Sequence, residues 1–383
     1  MSYDLIILGG GCAGLSLARR LSELGEDCPQ TVILESRSSY TDDRTWCFWG
    51  EDAAQLTHLV RHRWSWASVA AEGKTVKVDC SAFPYSMIPS LAFYDESLEM
   101  ISQAPQLLLE AGVSVLSEPL KVGNNWQVET SAGMRSARMV VDTRPLQTPQ
   151  RQAAGLRQSF VGHEIECAEP IFQPDVAELM HFEPAGEGEI LFFYLLPLAE
   201  NRALIEATIF SAEPLGPDRF EKDMQEFISR RVQGASYTIR RSEHGILPMS
   251  ILSPQGNPDA SYVSAGLTAG AARPSSGYTF QRIQRWATDC AKALGAGLPP
   301  LPHARDSMLL RGMDAIFLRV LRLQPEIAPE LFLVLFQKVE IAILVRFMSD
   351  RGTLSDYAAI ASALPSGPFL RQTFSALIAS RMP

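Results

Sequence analysis

Gly9, Gly11 and Gly14 fall in the spacing Gly-x-Gly-x-x-Gly, and Glu35 stands 21 positions beyond the last of them. Each residue type answers one need of a particular chemistry. The first glycine permits a tight turn, the second lets backbone approach a pyrophosphate, and the third lets a helix pack closely on a strand. The N–H groups at the start of that helix, around Cys12, Ala13 and Gly14, then meet the negative phosphates. A carboxylate at Glu35 accepts hydrogen bonds from a ribose hydroxyl pair and disfavours a 2′-phosphate. The constellation predicts a bound dinucleotide and by itself does not separate FAD from NAD.

Such a site needs a βαβ unit, and the flanking residues supply one. Leu5-Ile6-Ile7-Leu8 is a continuous apolar run suited to a buried parallel strand. Leu15, Ala18, Leu21 and Leu24 keep helical spacing, with Gly25 as the expected helix stop. Thr31 to Glu35 reads as the second strand, laid beside the first by a right-handed crossover. Further on, turn residues at Asn124-Asn125 and Ser131-Ala132-Gly133 predict a three-stranded meander between Val113 and Asp142. Glu189–Leu198 and Arg202–Phe210 form a second hairpin, assigned to the sheet of a second lobe. Helices dominate from Phe280 onward. There Leu309, Met313, Ile316, Phe317 and Val320 keep helical spacing with Arg311, Arg319 and Arg322 on a shared side, and Leu331 to Met348 is expected to be one buried helix.

The chain has 383 residues, 46% hydrophobic and 20% charged, which suits a globular protein with a large core. Its 34 Lys and Arg against 43 Asp and Glu leave a net charge of -9, which argues against nucleic acid as the main partner. From Pro300 onward the balance reverses to nine basic against seven acidic residues. The six cysteines form no C-x-x-C pair, and the N-terminus runs directly into a strand without a signal peptide, so a reducing, cytoplasmic location is expected. The longest apolar runs, Ile190 to Ala199 and Leu331 to Phe336, fall short of the roughly 20 residues that span a bilayer. His58 and His62 are four apart but lack a third ligand nearby, so no metal is expected.

Two later segments favour FAD. Val140-Val141-Asp142-Thr143-Arg144-Pro145 resembles the strand-end Asp motif of flavin hydroxylases, with Pro145 where many have Gly, which implies a cofactor contact for Asp142. Tyr262 to Tyr278 combines a strand, small residues around Gly266 and a Pro-x-x-Gly turn ending at Gly277, a pattern able to cradle a pyrophosphate or an isoalloxazine edge. The hydroxylases' Gly-Asp pair would fall here at Gly266-Leu267, without its carboxylate.

Taken together, Gly9-Gly10-Gly11-Cys12-Ala13-Gly14-Leu15-Ser16, Asp43-Arg44-Thr45-Trp46, Leu204-Ile205-Glu206-Ala207-Thr208 and Arg273-Pro274-Ser275-Ser276-Gly277-Tyr278 resemble bacterial lycopene β-cyclases over essentially the whole chain. The resemblance implies an intramolecular reaction without net redox change. A carotenoid ψ-end is protonated at its terminal double bond, the chain closes, and loss of a ring proton leaves a β-ionone ring, taking lycopene through γ-carotene to β-carotene. It also implies FAD in its reduced, anionic form, with NADPH or NADH as reductant. The competing reading is an FAD-dependent monooxygenase or polyprenyl reductase acting on a lipophilic substrate.

The resemblance makes Glu206 the acid/base residue, at the third position of a segment like the family's Phe-Leu-Glu-Glu-Thr motif; Leu204 and Ala207 replace the first Phe and the second Glu, so the motif contains no second carboxylate. Alternation along Arg202–Phe210 places Glu206 on one strand face with Leu204, Thr208 and Phe210, neighbours that desolvate a carboxyl group and favour its protonated form. Aromatic side chains for stabilising a cation are available at Trp46, Phe48, Trp49, Trp64, Trp66, Phe192, Phe193 and Tyr194. Arg44 is expected either at the cofactor's phosphates or charge, or in an ion pair with Asp42 or Asp43.

The expected fold is α/β with an α+β second lobe: a two-lobed, FAD-dependent hydroxylase-like flavoprotein with a Rossmann-type domain. The FAD lobe is allotted residues 1–80, 105–150 and 255–300, the substrate lobe 81–104 and 151–254, and the helical region 301–383. Because lycopene resides in lipid, the chain is expected to attach peripherally to the inner membrane. The basic, apolar C-terminal region serves either as that contact surface or as a layer covering the sheet.

Overall fold

The structure, a computed structural model, describes residues 2–50, 54–145, 155–250 and 257–379. The chain opens with β1 (Ser2–Leu8), α1 (Cys12–Ser22) and β2 (Thr31–Glu35), then β3 (Thr45–Trp49), β4 (His62–Trp64), β5 (Trp66–Ala71), β6 (Lys74–Asp79) and β7 (Tyr85–Pro89). Next come α2 (Ser90–Gln103), β8 (Leu107–Ala111), β9 (Leu120–Val122), β10 (Asn125–Thr130) and β11 (Gly133–Asp142). A long β-rich stretch holds β12 (Leu156–Cys167), β13 (Val176–Glu183), β14 (Ile190–Ala199), β15 (Arg202–Ser211), α3 (Glu221–Val232) and β16 (Tyr237–Met249). The chain then returns through β17 (Tyr262–Ser264) and α4 (Phe280–Gly295), and ends in α5 (Met308–Leu323), α6 (Ala328–Lys338), α7 (Ile341–Met348), α8 (Leu354–Ala363) and α9 (Ser366–Ala379).

The first sheet runs β8-β2-β1-β11-β10-β9, with β17 also paired to β11. Strands β8, β2, β1, β11 and β17 are parallel, and the antiparallel meander β9-β10-β11 extends one edge. Leu5 to Leu8 are wholly buried because both faces are covered. Leu5, Ile7 and Ile33 pack with residues of α1, α2 and α4, while Ile6, Leu8, Val32 and Leu34 pack with Trp126 and Val128 of the meander. The helix stop differs from expectation: α1 ends at Ser22, and Gly25 opens a separate short 3-10 turn.

The second sheet runs β16-β12-β15-β14-β13-β5-β6 and is antiparallel except where β13 meets β5. Alternation sorts its side chains. Ile205, Ala207 and Ile209 face α3, where Phe193 stacks on Phe227 at 4.0 Å, and Leu204 and Phe210 face the opposite side. That opposite side is covered by a small sheet, β3-β7-β4, and by α5 to α7. The small sheet divides the lobes: Cys47, Trp49, Tyr85 and Met87 face the second sheet, and Trp46, Phe48 and Ile88 face α1 and α4.

Strand pairing redraws the expected lobes. Residues 66–79, allotted to the first lobe, form β5 and β6 of the second sheet, because β5 finds its partner in β13. Residues 90–103, allotted to the second lobe, form α2, whose Phe93, Tyr94 and Ile101 are buried with α1. The run 331–348 is two helices instead of one. At Val339 and Glu340 the backbone is extended, and the Glu340 carbonyl accepts from the Ile343 and Leu344 amides to start α7. His58 and His62 do not share a helix; His58 meets Glu96 and His62 meets the Pro174 carbonyl.

A buried ion pair ties the C-terminal helices to the first lobe. Arg273, after β17, meets Asp314 of α5 at 3.3 Å with both side chains almost wholly buried, donates to the Phe347 carbonyl, and lies 4.1 Å from the Phe347 ring centroid. Removing Asp314 leaves Arg273 to the more distant Asp350, at 3.9 Å, so the cost lies toward the lower end of the roughly 3–5 kcal/mol of a broken buried pair. Asp314→Ala is therefore expected to lose about that much unfolding free energy in denaturant titration; a change below about 1 kcal/mol would remove the pair from the stability of the fold.

Candidate functional site

The glycine turn joins β1 to α1, and each glycine has a different geometric role. A Cβ at Gly14 would lie 1.9 Å from the Gly9 carbonyl oxygen, so the helix can pack this closely only with glycine there. Gly9 adopts φ +91°, and a Cβ on it would meet the Thr143 hydroxyl at 2.9 Å. At Gly11 a Cβ would meet nothing within 4 Å, which leaves its backbone open to approach. No side chain caps the N-terminus of α1 and no acidic residue lies in its first turn, so the N–H groups there are disposed toward an anion. Cys12 and Ala13 form that turn; burial pushes the Cys12 thiol up to about 12, which keeps it uncharged.

Glu35 lies at the end of β2 and accepts from the Gly10 amide at 2.7 Å. Its other oxygen accepts from the Arg37 amide at 2.8 Å and the Arg37 side chain at 3.1 Å. Burial opposes its ionisation, but the hydrogen bonds and charge of Arg37 and the Gly10 amide together hold it below the usual carboxylate range. Glu35 is thus a fixed anion beside the turn. The open backbone, the uncapped helix and this carboxylate fit a dinucleotide such as FAD or NAD.

Residues far apart in sequence converge on the same turn. Gly266 packs its Cα side against Ala13, with 3.3 Å to a Cβ built on it, and donates its N–H to His303 Nε2 at 2.9 Å. Burial and the charge of Arg282 push His303 down to about 3, so it is a neutral imidazole whose Nε2 accepts. Gly277 closes the turn that starts at Arg273 and packs on Gln158 and Leu247 of the second sheet. The Asp142 carboxylate accepts from Arg144 at 2.7 Å and from the Tyr262 hydroxyl at 2.8 Å. The neighbouring Thr143 reaches the turn, donating toward the Leu8 and Gly9 carbonyls at 2.8 and 3.0 Å. Among the described residues Arg44 makes no ion pair with Asp42 or Asp43; its guanidinium donates to the Asp43 carbonyl, and its charge acts on Glu243.

The second centre is Glu206 on β15. Tyr194 stands opposite it on β14, and Gly162 opposite it on β12; Gly162 in turn faces Glu243 on β16. Directly paired residues point to one face of a sheet, so Tyr194, Glu206 and Glu243 share a side, with no side chain between the two glutamates. Thr208 donates to Glu206 Oε1 at 3.0 Å. Burial, reinforced by the negative charge of Glu243, pushes the Glu206 carboxyl up to about 8 against that hydrogen bond. The expected face-mates Leu204, Thr208 and Phe210 are all buried there.

The walls are aromatic and uncharged. The Trp49 indole donates to the Tyr278 hydroxyl at 3.0 Å, and the Trp49 and Tyr85 rings lie 4.8 Å apart. Phe192 contacts Tyr194 at 5.6 Å and Phe210 at 5.1 Å. Burial pushes the Tyr278 hydroxyl up to about 12 and also raises those of Tyr85 and Tyr194. Cys47, Tyr194, Glu206 and Tyr278 each keep part of their surface accessible. The structure sorts the candidate aromatics: Trp49, Trp64, Phe192 and Tyr194 lie on this side, Trp46 and Phe48 stack on Phe280 in the first lobe, Phe193 packs on α3, and Trp66 is at the surface with Lys77 over its ring.

Sequence reasoning missed Glu243, Tyr85, Cys47, Thr143 and His303. One available signal was Gly162, a glycine inside an otherwise regular strand, which marks close approach of a neighbouring group.

A parallel sheet with a glycine turn, joined to an antiparallel sheet, is the two-lobed α/β fold of flavin-dependent hydroxylases, halogenases and reductases. Solved structures share it. A flavin-dependent brominase aligns with TM-score 0.64 at 12% identity over 100% of both chains. A geranylgeranyl bacteriochlorophyll reductase-like protein from Thermoplasma acidophilum aligns with TM-score 0.63 at 14% identity, covering 94% of this chain and 95% of that one. Within this fold the chain belongs to the lycopene cyclase family, whose model, described as lycopene cyclase protein, matches residues 4–374. It is similar to a lycopene beta cyclase of Synechococcus elongatus, 26% identical over 77% of this chain and 73% of that protein. It is also similar to a chloroplastic lycopene beta cyclase of Arabidopsis thaliana, 24% identical over 76% of this chain and 60% of the plant protein.

The raised proton affinity of Glu206 has a consequence for stability. The folded chain holds this proton up to about pH 8, whereas the ordinary carboxyl releases it near 4.5, so its contribution falls as pH rises between those values and is flat above them. Glu206→Gln fixes the neutral form, and thermal unfolding across that range should show a shallower decline than in the parent. Equal slopes would contradict a raised affinity at Glu206.

Proposed function

We propose that this protein is a lycopene β-cyclase that binds FAD and closes the ψ-ends of lycopene into β-ionone rings with no net redox change. The observation that carries the reading is Glu206: a carboxyl group kept protonated near neutral pH and faced by aromatic rings. Protonating an unactivated alkene needs an acid that is still loaded at working pH and a setting that excludes competing water. Family membership and the similarity to lycopene beta cyclases support lycopene as the substrate.

Glu206 gives its proton to the terminal double bond, and Thr208 holds its Oε1 in place. The faces of Tyr194, Tyr85 and Trp49 are suited to a cation at the closing end, at about 0.5–2 kcal/mol per good contact. Loss of a ring proton then restores the proton balance. The residues that would hold FAD are Gly9, Gly11, Cys12, Ala13 and Gly14 at the pyrophosphate, Glu35 at the ribose, and Gly266 and Gly277 on the far wall. Bound FAD, once reduced by NADPH or NADH, would supply a fixed negative charge for the cationic stage. Thr143, rather than Asp142, maintains the turn beneath it.

Among the described residues no helix is long and apolar enough to cross a membrane. Met308 and Leu354 are 88% and 74% exposed on the C-terminal helices, and Arg305, Arg319 and Arg322 are also exposed, while Arg381 lies outside the described residues. Basic side chains beside exposed apolar ones favour anionic headgroups, which supports peripheral attachment to the inner membrane from the cytoplasmic side.

Anaerobic incubation of the reduced protein with lycopene tests the reaction class. Rings should form while the flavin stays reduced; product that appears only with flavin oxidation would instead indicate the monooxygenase or reductase reading. Glu206→Gln should lower cyclisation by about 100-fold or more while bound flavin is retained, and near-normal turnover would remove Glu206 from the reaction.

A further inference from the structure

We propose that Glu206 and Glu243 act as one coupled pair across Gly162, with Glu243, held by Arg241 and Thr45, the member whose charge keeps Glu206 loaded with its proton. This rests on the reading above only for the role of Glu206 as acid. Its basis is the row Glu206, Gly162, Glu243 on β15, β12 and β16. Adjacent strands are about 4.8 Å apart, so the two glutamate backbones are separated by roughly 10 Å with only the glycine hydrogens between them. Glu243 leans into that gap: a Cβ built on Gly162 would lie 3.1 Å from its Cγ and 3.4 Å from its Oε1.

The two carboxyl groups are held differently. Burial raises the proton affinity of Glu243 as well, but there the charge and hydrogen bonds of Arg241, the Thr45 hydroxyl and the charge of Arg44 all oppose it. Glu243 Oε2 accepts from Arg241 Nη1 at 3.0 Å and from the Thr45 hydroxyl at 3.2 Å. Glu206 has the Thr208 hydroxyl and no cation among the influences on it. The other titratable groups around the pair are Cys47 from β3, Tyr85 from β7, Tyr194 from β14 and Tyr278, all raised by burial and therefore neutral. The proton affinity of Glu243 is raised on balance, yet Arg241, Thr45 and Arg44 favour its charged form, and that charge opposes ionisation of Glu206.

The pairing also accounts for the return of the proton. When Glu206 donates to the alkene it becomes a second anion beside Glu243, and that repulsion makes it a stronger base than an isolated carboxylate. The proton released from the ring goes back to Glu206, so one residue serves both steps and the proton count closes. Glu243 is in this sense a positioning residue for charge and need not touch the substrate.

The test is a titration of carboxyl-13C-glutamate-labelled full-length protein by infrared spectroscopy, without substrate. The parent should show a carboxyl absorption that persists to about pH 8 and is missing in Glu206→Gln. In Glu243→Gln that transition should fall by about one pH unit or more. Arg241 keeps Glu164 at 2.7 Å in this variant, so no cation is stranded. The double variant Arg241→Gln, Glu243→Gln, which removes anion and cation together, should move it in the same direction, and Glu243→Asp should restore part of the shift. The alkaline limb of kcat/KM should move in parallel, whereas a merely structural defect would lower the rate at every pH. A transition that stays in place in both the single and the double variant overturns the coupling, with the acid role of Glu206 intact. Full activity in Glu206→Gln would instead reject the acid role while the measured coupling stands.

Discussion

Burying one carboxyl group without a cation constrains much of this structure. A charged Glu206 would be strongly destabilised inside the protein, whereas a neutral one needs only a hydrogen-bond partner, which Thr208 provides. The arrangement holds only while positive charge stays away from it. Arg241 is committed to Glu164, Glu243 and Asp42, and Arg202 also turns to Glu164. Arg241 and Arg202 are thus held by neighbouring acids, and no cation is among the influences on Glu206.

The small sheet β3-β7-β4 makes that face possible. Its residues alternate in their allegiance, so one short strand gives Trp46 and Phe48 to the nucleotide-binding lobe and Cys47 and Trp49 to the acid. Asp42 and Asp43 pin its start to α2 through Ser90, the Leu91 amide and Tyr94. The wall between the two lobes is therefore about one strand thick at this point, and a change at Trp46 or Trp49 is felt on both sides.

How much of this was readable from residues alone follows from chain separation. The βαβ unit was readable because turn, helix and second strand lie within 35 residues and each carries its own local signal. The face that Glu206 presents was readable because alternation needs only its own strand. Glu243 was not: it lies 37 residues beyond Glu206, and the two meet only because β12, which begins 50 residues before Glu206, inserts between their strands. The placement of β5 and β6 escaped for the same reason, since β13 is about a hundred residues away from β5 and no local pattern announces the pairing. The break at Val339 was hidden by composition, because apolar residues on every side of a run carry no period from which a boundary can be read. The partners of Asp142 within the protein, Arg144 and Tyr262, were not readable, because a strand end fixes where its backbone sits and leaves open which neighbours meet the side chain.

The Arg273–Asp314 pair makes the C-terminal helices more than a cover. Arg273 begins the turn that ends in Gly277 and Tyr278, and its partners lie on α5 and α7. The turn against the dinucleotide fold, a hydroxyl in the wall of the acid site and the helical layer thus share one buried junction. Such a junction makes for cooperative unfolding: the layer from α5 onward cannot melt as a separate unit without freeing the turn that runs from Arg273 to Gly277. The chain behaves there as one folding unit, despite two sheets and a helical layer that look separable by topology.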